Sequence, residues 1–504
     1  MKETFRYLII LLCLCPTVAT AQSFDEYKRQ QQAKYNSYVQ KKTEEFRAYR
    51  DRVNAEYADF MRKAWKREET QPAKPLPKRP EPPKPMVRKP QQVPQFDVVP
   101  FGNIVIPKIP DFKKPEPIIP IDELEGLKEE PTEEVKPETK PQKEVKPEGF
   151  AFKWCGKTWN VPLDNQHRFK LKGVSEGNVA DAWKILSGAK YGPVVAACLK
   201  IRDSYQLPDW GYLHFLEAMV NSFLPGMKNE ACLFEMFILS QSGYQVRIAR
   251  SNGHLYLLVP SSGDIYEYVY LTKGGRKFYV VDKTSESGSF SVFERDFPRA
   301  QPFTWQMSKL PLLSGEGKRR TLHGKKIPEV QSTVEVSKNL MEFMDAYPRC
   351  NDWNSYASAS LSEQAKDGLY PALRQSIDGK SKKEAVDILL DFVQNAFEYK
   401  TDHEQFGKER PLFGDETLFY PYCDCEDRSI LFSILVRELV GLDVVLLNYP
   451  QHLATAVCFN ENVEGDYFVL DGKRYVVCDP TYIGSHVGEA MPTYKNSKAT
   501  IIKI

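Results

Sequence analysis

Cys425, His452 and Asp479 stand in that order near the C-terminus, 27 residues apart at each step. A thiol, an imidazole and a carboxylate are the groups that nucleophilic acyl transfer uses. Cys425 lies where a turn-forming stretch (420–424) runs into a helical pattern, so the orphan N–H groups and dipole of a helix N-terminus would favour its thiolate. A free cysteine, with pKa near ~8.5, is mostly protonated at neutral pH, so such help matters. His452 opens an apolar, strand-like run to Phe459 and could take the thiol proton, then return it to a leaving amine. Asp479, at a strand end closed by Pro480, could hold the imidazole in the useful tautomer. The Cys425 backbone N–H, with Tyr422 as a second donor, could hold the oxyanion.

Taken together, Cys425-x-Asp427, the helix end at Arg437, Gly441, His452 and Asp479-Pro480-Thr481 resemble the core of the transglutaminase-like superfamily of papain-type folds. The resemblance covers about residues 380–485. It implies a Cys-His-Asp triad, a helix packed on an antiparallel sheet, attack on amide bonds, and Asp427 as a supporting residue. The chain departs from the pattern at Cys423, where a glycine is common two residues before the nucleophile. It departs again at Ala454, where an aromatic commonly follows the histidine.

Each residue also has a plainer reading. A secreted protein can pair Cys423 or Cys425 in a disulfide, and a strand histidine is often only a packed core residue. Asp-Pro-Thr is an ordinary strand-ending turn. Cys423, Cys425, Cys478 and His486 form a zinc alternative, but Cys-x-Cys is poor spacing for a closed site. No metal and no cofactor is therefore expected.

The elements that would position the triad occur twice. Helical patterns at about 332–346, 381–398 and 424–440 precede strands at about 443–449, 452–460, 466–470 and 474–479. Helical patterns at about 178–188, 210–223 and 229–242 precede strands at about 245–250, 254–259, 264–272 and 277–282. A shift of 198 residues places Leu233-Phe234 on Leu431-Phe432, Gly243 on Gly441 and His254-Leu255 on His452-Leu453. Tyr279-Val-Val-Asp282 matches Tyr475-Val-Val-Cys-Asp479 with one residue lost. Met227 stands at the nucleophile position and Asn229 at that of Asp427; Cys232 reads as core. Residues 399–424 have almost no counterpart in the first half. A degenerate copy is therefore expected at 149–325, ahead of a domain with an intact triad at 326–504.

The N-terminal region carries no such chemistry. Residues 1–21 read as a secretory signal: Lys2 and Arg6, an apolar stretch from Leu8 to Leu14, and Ala19-Thr20-Ala21 before Gln22. Eight of the 10 cysteines follow it, too few in so long a chain for a disulfide scaffold. Over 22–70, Phe24/Tyr27, Tyr35/Tyr38, Phe46/Tyr49 and Tyr57/Phe60 recur every eleven residues, which aligns them on one helical stripe. That stripe needs a partner, a second copy, or the globular part to cover it. About half of the 36 prolines fall in 71–148, which reads as an extended, solvated linker. A net charge of only +2 argues against nucleic acid as a partner, and no stretch after the signal is long enough to span a membrane.

The expected architecture is α+β: two transglutaminase-like domains, each a helix on an antiparallel sheet, behind a long helix and a proline-rich linker. The expected function is an exported, periplasmic or extracellular cysteine hydrolase or acyltransferase acting on peptide or side-chain amides. Its partners would be a protein or peptide substrate and, through 22–70, a second copy or an envelope component. The alternative is a non-catalytic peptide-binding or envelope-assembly protein on the same fold.

Overall fold

A computed structural model of the chain describes residues 24–76, 84–89, 114–125 and 149–504, except 262, 283–284, 305–306, 325–330 and 351. The proposed signal segment lies outside the described residues. The chain divides into two units at Arg52/Val53, within helix α1 (Phe24–Met61).

In the N-terminal unit the helix is polar apart from its aromatic stripe, and Tyr35 and Tyr38 are 63% and 60% exposed. Isolated polar helices are marginal, and solvent-exposed pairs such as Lys42–Glu45 (2.7 Å) add little. From Val53 onward the same helix belongs to the larger unit, where the fourth aromatic pair splits in role. Tyr57 is 1% exposed and packs on Trp183, Phe293 and Phe297 at 4.9–5.3 Å. Phe60 stays half-open beneath the Arg295 guanidinium, 3.5 Å from its centroid.

The larger unit holds two main antiparallel sheets. The first is built from β1 (Lys66–Glu69), β2 (Arg247–Ser251), β3 (His254–Ser261), β4 (Tyr270–Lys273), β5 (Arg276–Val280) and β6 (Ser289–Val292). These run in the order β1-β6-β2-β3-β5-β4. β1 pairs with β6 at one edge, and Gln71, two residues beyond β1, bridges to Tyr270 in β4 at the other. The sheet therefore curls until one short stretch of chain touches both edges. That satisfies edge groups which would otherwise offer a template for association. Helix α2 (Lys228–Gln241) lies against β3 and buries Leu233, Phe234, Phe237 and Ile238.

The second sheet comprises β7 (Val444–Tyr449), β8 (His452–Cys458), β9 (Tyr467–Leu470), β10 (Lys473–Cys478) and β11 (Thr500–Lys503), in the order β9-β10-β8-β7-β11. Helix α3 (Cys425–Leu435) lies against β8. Its end widens into one π turn, Val436–Val440, and stops at Gly441, whose φ of 71° is a left-handed conformation that glycine adopts without penalty. Val445, Leu447, Ala454, Ala456 and Val477 alternate along the strands into one core, as a period of two requires.

Strand for strand, β6-β2-β3-β5-β4 has the connectivity of β11-β7-β8-β10-β9. The central hairpins also share a register: Ser251 faces His254 as Tyr449 faces His452, both partners displaced by 198 residues. On the next pair, Leu258↔Val280 answers Ala456↔Val477, the first partners displaced by 198 residues and the second by 197, so one residue fewer separates the pair in the second sheet.

The proline-rich stretch differs from a solvated linker where it is described. Lys74 pairs with Asp264 at 2.6 Å. Val87 bridges to Ile483, and Met86 packs on the second sheet's core. Ile119 and Leu124 are buried, and the short helix Ile121–Glu125 lies on the helix Gly192–Ser204. Proline removes N–H donors but leaves apolar rings and intervening Met, Ile and Leu free to bury.

Candidate active site

Asp424 precedes α3, and its N–H donates to Asp427 Oδ2 at 3.2 Å. The other Asp427 oxygen accepts the Leu412 N–H at 3.0 Å, so this buried carboxylate ties the preceding loop to the helix start. Cys425 is the first helical residue. One turn on, the Ser429 hydroxyl donates to the Leu453 carbonyl at 2.8 Å, fixing the helix start beside β8. His452 is the first residue of β8, at the mouth of the hairpin, and is buried. Arg428, fully buried, donates to the Phe397 carbonyl at 2.9 Å and fastens α3 to the segment before it.

Asp479 follows β10 directly. Its Oδ2 lies 2.8 Å from His452 Nε2, and its Oδ1 accepts the Thr481 N–H at 2.9 Å. Bonded at both oxygens, the carboxylate can present only one face to the ring. Nε2 is thereby committed to Asp479, while buried Nδ1 has no hydrogen-bond partner. His452 and Cys425 both line one cleft of about 360 Å³, which reaches the surface at exposed His403, Gln451 and Lys498. Tyr494 stacks on the imidazole at 4.8 Å and 21°, with Tyr449 at 6.1 Å and 15°. Gln394, buried, donates through Nε2 to the carbonyls of Asp479 and Tyr482 at 3.3 and 3.0 Å, bracing the loop that carries Asp479.

The electrostatics oppose one expectation. Burial, then the Glu426 and Asp424 carboxylates, push the Cys425 thiol well above its usual range, with the Leu453 N–H pulling the other way. Sγ lies 3.0 Å from Glu426 Oε2, a geometry that suits a protonated thiol donating to a carboxylate. Burial and two adjacent carboxylates thus outweigh the helix N-terminus, whose effect is confined to its first turn. Burial and then Asp427 and Glu426 raise the Asp402 carboxyl to about 10. Asp424 is raised well above its ordinary value by burial, Glu426 and Asp427.

Cys425 and His452 are thus brought to one cleft, with Asp479 bonded to the imidazole from behind. Asp427 acts on the backbone beneath them. Tyr422 is not among the residues lining the cleft; its ring lies under the Lys400 ammonium at 3.8 Å, so the expected oxyanion role has no support from its position. Cys423 is buried, also away from the cleft lining, with its thiol raised to about 11 by burial. All eight described cysteines are free thiols. The zinc alternative does not assemble among the described residues: His486 faces Asp387 at 3.6 Å, and Cys423, Cys478 and His486 join no ligand-like cluster with Cys425.

Sequence reasoning missed Tyr494, Gln394 and three cleft carboxylates, Asp402, Glu409 and Glu426. The signal for Asp402 and Glu409 was present: both lie in the 399–424 stretch that lacks a counterpart in the first half. At the equivalent place in the first sheet there is no thiol. Asn229 there bonds the hairpin through Leu255 N–H at 2.9 Å and the Gly253 carbonyl at 3.2 Å, and His254 is exposed. No family model, curated protein or solved structure matches the chain, so its activity has to be inferred from the side chains gathered in this cleft.

Proposed function

We propose that the protein is an exported cysteine hydrolase or acyltransferase of the transglutaminase-like kind, acting on peptide or side-chain amides through a thioester. One observation carries this reading: His452 bonded to Asp479 through Nε2, with Nδ1 unpartnered in the cleft that also holds Cys425. Nδ1 is the nitrogen left to accept the thiol proton. The thiolate attacks the amide carbonyl, and the oxyanion is received by N–H groups at the start of α3. Collapse breaks the C–N bond as His452 returns its proton to the departing amine, leaving a thioester. Water, deprotonated by the same imidazole, then releases the acid and restores the thiol; an amine in place of water would form a new amide.

The shared strand order and hairpin register support reading 149–325 as a degenerate copy that kept the scaffold and not the nucleophile. Residues 1–21 as an export signal and 22–52 as an association helix belong to the same proposal. Hydrolysis is preferred over transfer, because water is present at every turnover.

A second reading, a non-catalytic peptide-binding protein, is favoured by the raised Cys425 thiol. Alkylation by iodoacetamide across pH separates the two. In a catalytic pair the rate depends on His452, so His452→Ala slows labelling at least tenfold. Equal rates with and without the imidazole would leave the binding protein standing.

A further inference from the structure

The cleft has an acidic wall that the triad does not use. Asp402, Glu409 and Glu426 are all buried, and one carboxylate oxygen from each lies within 4.8 Å of the others. All three line the cleft that holds Cys425 and His452. A second cluster continues from the first to the nucleophile: carboxylate oxygens of Asp424 and Glu426 and the Cys425 sulfur also lie within 4.8 Å of one another. Asp424 is 2% exposed and lines the same cleft, yet its Oδ1 has no hydrogen-bond partner. A buried carboxylate oxygen left unpaired is costly, and like charges this close oppose each other's ionisation. A cation seated among Asp402, Glu409 and Glu426 would relieve the mutual opposition of their charges, next to the unpaired oxygen of Asp424.

Building on the acyl-transfer reading, we infer that the cleft takes an acyl donor carrying a primary ammonium group, which sits on Asp402, Glu409 and Glu426 while the amide carbonyl reaches Cys425. A primary ammonium offers three N–H donors, one for each carboxylate, in charge-assisted hydrogen bonds. Trp353, Tyr449 and Leu453 line the cleft and supply apolar wall for a methylene chain. Calcium is a poorer fit, because it takes six to eight oxygens and one Asp402 oxygen already accepts the Arg410 N–H at 2.6 Å. The bound group is not the attacking amine. Carboxylates around an ammonium hold its proton in place, and a protonated amine has no lone pair with which to attack a thioester. The site therefore anchors the donor and favours water as acceptor. Neutralising Glu426 also removes a charge that opposes the Cys425 thiolate, so the same contact prepares the nucleophile.

Two measurements on the full chain test this. The first is binding of n-butylamine, 1-butanol and Ca²⁺ to Cys425→Ala by calorimetry and ligand-observed NMR. Butylamine should bind at least tenfold more tightly than butanol and lose that advantage in Asp402→Asn/Glu426→Gln. Equal binding of the two, or preferential binding of Ca²⁺, overturns the inference. If the double variant does not fold, the amine–alcohol comparison in Cys425→Ala decides alone. The second is turnover of Nα-acetyl-lysine and Nα-acetyl-norleucine coumarin amides, with kcat/KM expected at least tenfold higher for lysine. Equal turnover refutes the ammonium site and leaves the acyl-transfer reading intact. Amine binding with no turnover of either substrate leaves the site and removes the enzyme.

Discussion

The imidazole of His452 is constrained from three directions: by Asp479 at Nε2, by Tyr494 across its face, and by its place at the hairpin mouth. Asp479→Asn should keep the fold while lowering kcat by roughly 10³–10⁴-fold, since an amide can no longer fix the tautomer or stabilise an imidazolium. Cys425→Ala should abolish turnover with an unchanged circular dichroism spectrum, whereas Cys423→Ala should retain activity. The raised Cys425 thiol has a definite pH signature. Thiolate forms only as pH climbs beyond the ordinary cysteine range, so the iodoacetamide rate should still be rising above pH 9. Glu426→Gln removes the leading charge behind that shift and should move the whole profile toward lower pH; an unmoved profile would assign the shift to burial and Asp424. Asp402 gives a stability counterpart. Its carboxyl is raised in the folded state, so folding favours the protonated form, and the benefit present below the unfolded pKa is lost as pH climbs toward about 10. Asp402→Asn should therefore raise the melting temperature at pH 8 more than at pH 5.

Among the elements, the triad-bearing ones were legible in the sequence because each carries its own local signal. The α3 start shows a turn followed by helical periodicity, β8 an apolar run, and β10 an ending at Asp-Pro. Tyr494 and Gln394 were not legible, because each acts from an element whose contact with the site is purely tertiary: a C-terminal loop and the last turn of the helix Lys382–Asn395. Tyr494 supplies the aromatic cover that Ala454 does not. Tyr422 lies off the cleft lining for the converse reason: closeness in sequence to Cys425 does not decide which side of the backbone its ring takes. Gln394 makes the element-scale prediction. Replacing it with alanine strands the carbonyls of Asp479, Tyr482 and Ser485, at a cost of about 1–3 kcal/mol by thermal unfolding. It should also lower kcat more than it raises KM, because the loop it braces aims Asp479 rather than binds substrate.

For the whole molecule, the N-terminal region falls into two parts that the aromatic repeat alone could not separate. Eleven-residue spacing runs unbroken from Phe24 to Phe60, yet the last pair, Tyr57/Phe60, belongs to the larger unit. Deletion through Arg52 should leave the melting temperature of the larger unit unchanged, whereas deletion through Thr70 removes Tyr57, Trp65 and β1 and should lower it by several degrees. No described helix is long and apolar enough to cross a membrane. Separately, the proposed association role of residues 22–52 predicts that deleting them abolishes co-sedimentation with a surface.

The matched hairpins of the two sheets make their strands exchangeable parts. Because each facing pair in one hairpin has its equivalent in the other, a chimera carrying residues 442–459 in place of 244–261 would keep every cross-strand neighbour in step. It would keep an imidazole at the position of His254, with Met227 as the cap of the neighbouring helix. A single further change, Met227→Cys, would then put a thiol at the head of that helix, and alkylation of that thiol would read out whether the exchanged hairpin can act on it without any change of backbone.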